Sequence, residues 1–118
     1  MKKSEIKFTV TRDDKKVPEK IDWSASDVQE QVAESNAVMI ALWDGKARNT
    51  LRIDLWTKNM MKEDMKKFYH QSFLSMADNF ERATGDVEVS QAMRNFAQML
   101  GEKMNLLMKN KFFDLKDN

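Results

Sequence analysis

The chain has no cysteine, one proline, one histidine and three glycines in 118 residues. Without thiols there is no disulfide framework, no thiolate nucleophile and no cysteine metal site, although cysteine usage alone does not fix the compartment. One histidine and no run of alternating carboxylates leave the common zinc and calcium ligand sets unfilled, so no metal is expected. Three glycines cannot build a phosphate cradle of the usual kind. The sequence also lacks a P-loop, a dinucleotide fingerprint, a Gly-x-Ser-x-Gly elbow and an arguable Ser/His/Asp set. No cofactor and no catalytic residue is expected, and the chain does not read as an enzyme.

Charge of one sign is missing too. Twenty basic residues face nineteen acidic ones, for a net charge of +1. Residues 1–35 carry seven Lys/Arg and eight Asp/Glu, and the remainder thirteen and eleven, so no part supplies the basic footprint that nucleic-acid binding needs. The longest apolar run, Ala37 to Trp43, is seven residues, far short of a membrane span. The N-terminus starts basic, but alternating charges prevent an apolar signal segment from following. Cytoplasm is the default location.

What remains is a globular balance, 42% hydrophobic and 33% charged. The length suits one domain, placed at residues 1–108, with residues 109–118 as a polar tail apart from Phe112, Phe113 and Leu115. Ile6, Phe8 and Val10 alternate with Lys7, Thr9 and Thr11, the period of a strand with one wet face. Val17, Ile21, Trp23 and Ala25 share parity across the polar turn Arg12–Lys16, which predicts a second strand antiparallel to the first. Pro18 belongs at its start or on an edge. Ser26–Asn36 is mostly polar and reads as a long surface loop with room for one helical turn.

Val38–Trp43 is apolar on both parities, as in a strand covered on both faces. Asp44-Gly45 signals a reversal, because glycine tolerates the positive φ of hairpin turns. Leu51, Ile53 and Leu55 alternate with Thr50, Arg52, Asp54 and Trp56 on the return arm. An even-length loop places Val38, Ile40 and Leu42 on one face with Leu51, Ile53 and Leu55, and that face is expected to be core.

From about Asn59 the period becomes 3.6. Met61, Met65, Phe68, Tyr69, Ser72, Phe73, Met76, Ala77 and Phe80 form one stripe, with Thr57 or Asn59 as cap and Gly85 as stop. A second helix opens near Asp86 or Ser90 with the stripe Val89, Met93, Phe96, Leu100, Met104, Leu107 and Met108. Gly101 inside it costs about 1 kcal/mol of propensity, which a close helix–helix or helix–sheet approach would explain. The fold class is α+β: an antiparallel four-stranded sheet (β-β-loop-β-β) followed by two helices packed on one face.

Most candidate chemistry has a plain structural reading. His70 lies off the Phe68/Phe73/Met76 stripe and is expected to face water. Asp13-Asp14 fall in a turn, and Glu63-Asp64 in a first helical turn where acids suit the macrodipole. Lys58, Lys62, Lys66 and His70, spaced by four, read as a solvated helix face, helped by Glu63 and Lys67 at i,i+4. The ten methionines mostly sit at core spacing. Phe112 and Phe113 either pack back or serve as a docking element.

The tryptophans are more informative. Trp23 shares parity with Ile21 and is read as core. Trp43 and Trp56 lie opposite the leucine row, on a face with Met39, Ala41, Arg52 and Asp54. Either the 26–36 loop or the tail covers that face, or it is an interface, since Trp and Arg are common anchors at binding surfaces. Met39, Trp43, Arg52, Asp54 and Trp56 are therefore the candidate protein-binding residues, for a protein partner or for a homo-oligomer.

The segments Lys2–Thr11, Val17–Trp23, Ala37–Met39 and above all Asn49–Lys58 (NTLRIDLWTK) resemble the GldC proteins associated with bacterial gliding motility, as do His70-Gln71, Met76–Asp78 and Glu81–Thr84. The likeness covers about residues 1–105, with Asp27–Ser35 and the tail after Met108 outside it. It implies a soluble, non-enzymatic accessory or adaptor protein that supports the gliding machinery without forming its motor. The family offers no catalytic or cofactor residues to carry over. An alternative rests on element order: four antiparallel strands then two helices is also the order in the SecB export chaperone, a fold-level analogy to a binder of unfolded clients.

Overall fold

The computed structural model describes residues 1–108. Phe112 and Phe113 thus lie outside the described residues. The chain divides into two compact units, Met1–Met60 and a second from Met61 onward. The first is all β: β1 (Ile6–Arg12), β2 (Pro18–Ala25), β3 (Gln29–Ser35), β4 (Ala37–Asp44) and β5 (Asn49–Trp56). The second holds α1 (Lys62–Thr84) and α2 (Val87–Lys103). The α+β class and antiparallel pairing hold, but the described residues form five strands in two sheets, ordered β1-β2-β3 and β4-β5, instead of a single four-stranded sheet.

The extra strand is β3, in the segment expected to be a loop. Its sequence, QEQVAES, has little apolar content and no clear alternation. Its order comes from pairing: Ile21 faces Ser35, Asp22 faces Glu34 and Trp23 faces Ala33. Glu34 also accepts an ion pair from Lys20 at 3.3 Å. Backbone hydrogen bonds to an existing strand can order a polar segment that propensity alone would leave irregular.

In the three-stranded sheet Phe8 faces Trp23 and Val10 faces Ile21, so Ile6, Phe8, Val10, Ile21, Trp23 and Ala25 line one face. Ile21 is fully buried there, while Trp23 is half-buried. Pro18 opens β2, where the register shifts and a missing donor costs no ladder bond. Asp13 organises the preceding turn: its Oδ1 accepts from the backbone N–H of Lys15 at 2.8 Å and of Val17 at 2.9 Å.

In the helical unit, α1 starts at Met61 without a side-chain cap, so neither Thr57 nor Asn59 caps it. Glu63 and Asp64 complement the helix dipole in its first turn. Gly85, at φ 74°, ends α1 and donates its N–H to Glu81. Asp86 then caps α2 by accepting from the Val89 N–H at 3.0 Å.

The helices meet mainly along small residues, which only partly coincide with the expected stripes. His70 and Ala77 on α1 and Ser90, Ala97 and Gly101 on α2 are buried, whereas Tyr69, Met76, Val89 and Phe96 are exposed. Phe73 and Phe96 still touch edge to face, centroids 5.7 Å apart. Gly101 permits the close helix–helix approach that its position suggested. His70, expected to face water, is buried in this seam.

Candidate protein-docking face

The β4–β5 hairpin carries the candidate residues. Ala37 pairs with Trp56, Val38 with Leu55, Ile40 with Ile53 and Leu42 with Leu51, so the expected register and even loop are both present. Four residues, Gly45–Arg48, close the loop. Asp44 holds it, its Oδ1 accepting from the N–H groups of Lys46 and Ala47 at 3.0 and 3.1 Å. The left-handed residue is Arg48, at φ 56°, and not Gly45.

Because cross-strand partners point the same way, one face holds Met39 opposite Asp54, Ala41 opposite Arg52, Trp43 opposite Thr50 and Ala37 opposite Trp56. All five candidate residues are brought together. Six residue steps separate the rows of Trp43 and Trp56, placing the two indoles about 20 Å apart along the strands. Trp43 is 63% exposed and Trp56 53%. Between them Arg52 clasps Asp54 in two bonds, Nε to Oδ2 at 3.1 Å and Nη2 to Oδ1 at 2.9 Å. A bidentate pair of this kind fixes the guanidinium plane and presents both charges at set positions.

The leucine row on the opposite face was expected to be core and is not closed: Leu42, Ile53 and Leu51 are 54%, 48% and 52% exposed. A two-stranded ribbon is one layer thick, and the alternation that sorts side chains between its faces does not supply a second layer.

Trp56 also borders a cleft with Val17, Pro18, Leu55 and Lys58. The Lys58 N–H bonds the Pro18 carbonyl at 3.0 Å, tying the end of β5 to the start of β2, and the Thr57 N–H bonds the Asn36 carbonyl at 2.8 Å, extending the β4–β5 ladder by one pair. Lys58 Nζ adds ion pairs to Glu19 at 2.9 Å and Asp13 at 3.1 Å. These carboxylates, Glu19 foremost, hold the ammonium above the usual lysine range. The Val17 N–H, and to a smaller extent Lys58, hold the Asp13 carboxyl below the usual carboxylate range. The expected basic stripe is thereby dispersed: Lys58 serves this corner, Lys66 pairs with Glu63 at 3.4 Å, and His70 is buried.

Sequence reasoning missed Val17, Pro18 and Lys58 as neighbours of Trp56, since no local pattern links them. Ala37 and Thr50 on the tryptophan face were legible, because fixing one pair of the hairpin fixes all the others. Among the described residues no group of three or more His, Asp or Glu could hold a metal ion, and no helix is long and apolar enough to cross a membrane.

Neither the curated proteins nor the solved structures compared with the chain provide a match. The family described as gliding motility-associated protein GldC-like matches residues 18–106, a span that takes in β2 through α2 and the whole tryptophan face, and the chain belongs to that family.

Proposed function

We propose that this protein is a non-enzymatic accessory of the gliding machinery that docks a protein partner through the β4–β5 face. The observation that carries the reading is the pair of half-exposed indoles, Trp43 and Trp56, flanking the fixed Arg52–Asp54 pair on one ribbon face. Exposed tryptophans around a preorganised arginine are the composition of binding hot spots. The complementary partner offers two apolar recesses about 20 Å apart with polar groups of both signs between them. The test is complementation of gliding in a deletion strain. Trp43→Ala/Trp56→Ala, present at wild-type level, is expected to fail; full gliding would overturn the reading.

A second reading draws on the breadth of exposed apolar side chains, including Ile6, Phe8, Leu42, Leu51, Met76 and Phe96. A SecB-like binder of unfolded clients would use such a surface without a single anchor. It is expected to suppress aggregation of unrelated unfolded proteins and to tolerate single tryptophan substitutions. Loss of gliding with Trp56→Ala alone, and no effect on aggregation, would eliminate it.

A further inference from the structure

We infer that β4 is a self-pairing edge, through which two copies of this chain join their β4–β5 ribbons into one four-stranded sheet. The inference stands apart from the docking reading and uses the strand's edge instead of its tryptophan face.

The hydrogen-bond phase of the hairpin decides which groups are free. The Thr57 N–H bonds the Asn36 carbonyl, and the pairs that follow keep the same register. In an antiparallel ladder the bonded residues alternate, so Val38, Ile40 and Leu42 direct their N–H and C=O toward β5. Those of Ala37, Met39, Ala41 and Trp43 then point to the opposite edge. None of the described residues makes a backbone hydrogen bond there.

Natural proteins protect such an edge with charge, proline or a bulge. The described edges of this chain differ in that respect. β1 carries Lys7 and Arg12, β3 carries Glu34, and β5 carries the Arg52–Asp54 pair. β4 has no charged residue and no proline from Ala37 to Trp43, and its register with β5 has no bulge. It is the unguarded one.

Its side chains are also self-complementary. Two copies related by a two-fold axis normal to the sheet keep their faces aligned, so the axis must pass through a residue paired with itself. Centred on Ile40, the register pairs Ile40 with its own copy, Met39 with Ala41, Val38 with Leu42 and Ala37 with Trp43. Each large side chain on the tryptophan face then lies beside a small one, and all seven residues of the run are paired. Leu42 and Trp43, both more than half exposed, would be covered along such an edge by Val38 and Ala37 of the second copy.

The test combines sedimentation with single-cysteine crosslinking, which the absence of native cysteine makes clean. Wild type is expected to sediment as a dimer at about 100 μM. Ile40→Cys is expected to form an intermolecular disulfide under mild oxidation, because non-hydrogen-bonded partners bring Cα atoms to about 4.5 Å, within disulfide reach. Ile53→Cys, one strand further from the axis, is expected to remain reduced. Ala41→Pro removes one outward N–H that no described residue uses, and is expected to stay folded and become monomeric. A monomeric wild type, equal crosslinking at positions 40 and 53, or a dimer that survives Ala41→Pro would overturn the inference. Loss of the dimer with gliding intact would separate it from the docking reading.

Discussion

Gly101 sits where a side chain would collide with His70: a Cβ there would lie 2.9 Å from the imidazole Nε2, and 2.5 Å from Leu107 Cδ1. His70 Nε2 is itself buried, with no hydrogen-bond partner among the described residues. The glycine and the polar ring thus share one crossing point, with the Leu107 side chain pressed against the same spot.

Gly101→Ala is accordingly expected to destabilise the protein. Helix propensity favours alanine by about 1 kcal/mol, but overpacking costs about 1–3 kcal/mol. The net loss, about 1 kcal/mol, is measurable as a lower urea midpoint. Adding His70→Ala is expected to recover part of it, and a double-mutant cycle showing simple additivity would contradict the account.

Arg94 of α2 joins the helices nearer the turn between α1 and α2. It reaches Asp78 at 2.9 Å and Glu81 at 3.1 Å, while the Ser90 hydroxyl donates to Glu81 at 2.7 Å. The Ser90 bond first, and Arg94 second, hold the Glu81 carboxyl below the usual range. A carboxyl depressed in the folded state adds stability above its unfolded pKa, and that contribution fades as pH falls through the folded value. Ser90→Ala and Arg94→Met are each expected to raise the Glu81 midpoint in an NMR titration and to flatten the acid limb of the stability curve. An unmoved midpoint would contradict this.

Asp13 should behave similarly in the β unit, since its carboxyl is also held low. Its dominant partner is backbone, so Asp13→Asn retains an acceptor for the Lys15 and Val17 N–H groups while losing the charge opposite Lys58. It is expected to fold normally with a weaker acid dependence, whereas Asp13→Ala is expected to loosen the β1–β2 turn. Amide exchange at Lys15 and Val17 distinguishes the two.

The three tryptophans are expected to differ in solvent access. In single-tryptophan variants, acrylamide should quench Trp43 and Trp56 strongly and half-buried Trp23 least. Equal quenching would place the candidate face elsewhere.

The hairpin register was legible because alternation, an even loop and Asp44 all specify the same pairing. Strand β3 was not, since QEQVAES holds one branched apolar residue, Val32, and owes its order to β2. The helix ends were half legible: Asp86 caps α2 as its chemistry suggests, while Met61 begins α1 with none. The seam was only partly legible, because hydrophobic size marks a stripe: Ala77 lay on it, but close packing also selected Ala97 and Gly101 beside it. On the tryptophan face the residues themselves were readable; their exposure was not, because burial depends on layers that strand alternation does not encode.

Photo-crosslinking in cells tests the central claim most directly. A photoreactive residue at Thr50, exposed opposite Trp43, leaves both tryptophans and the β4 edge intact. The account expects one discrete adduct with another gliding-machinery protein, absent when the same group replaces exposed Glu88 on α2. No adduct at Thr50, or the same adducts from Thr50 and Glu88, would contradict it.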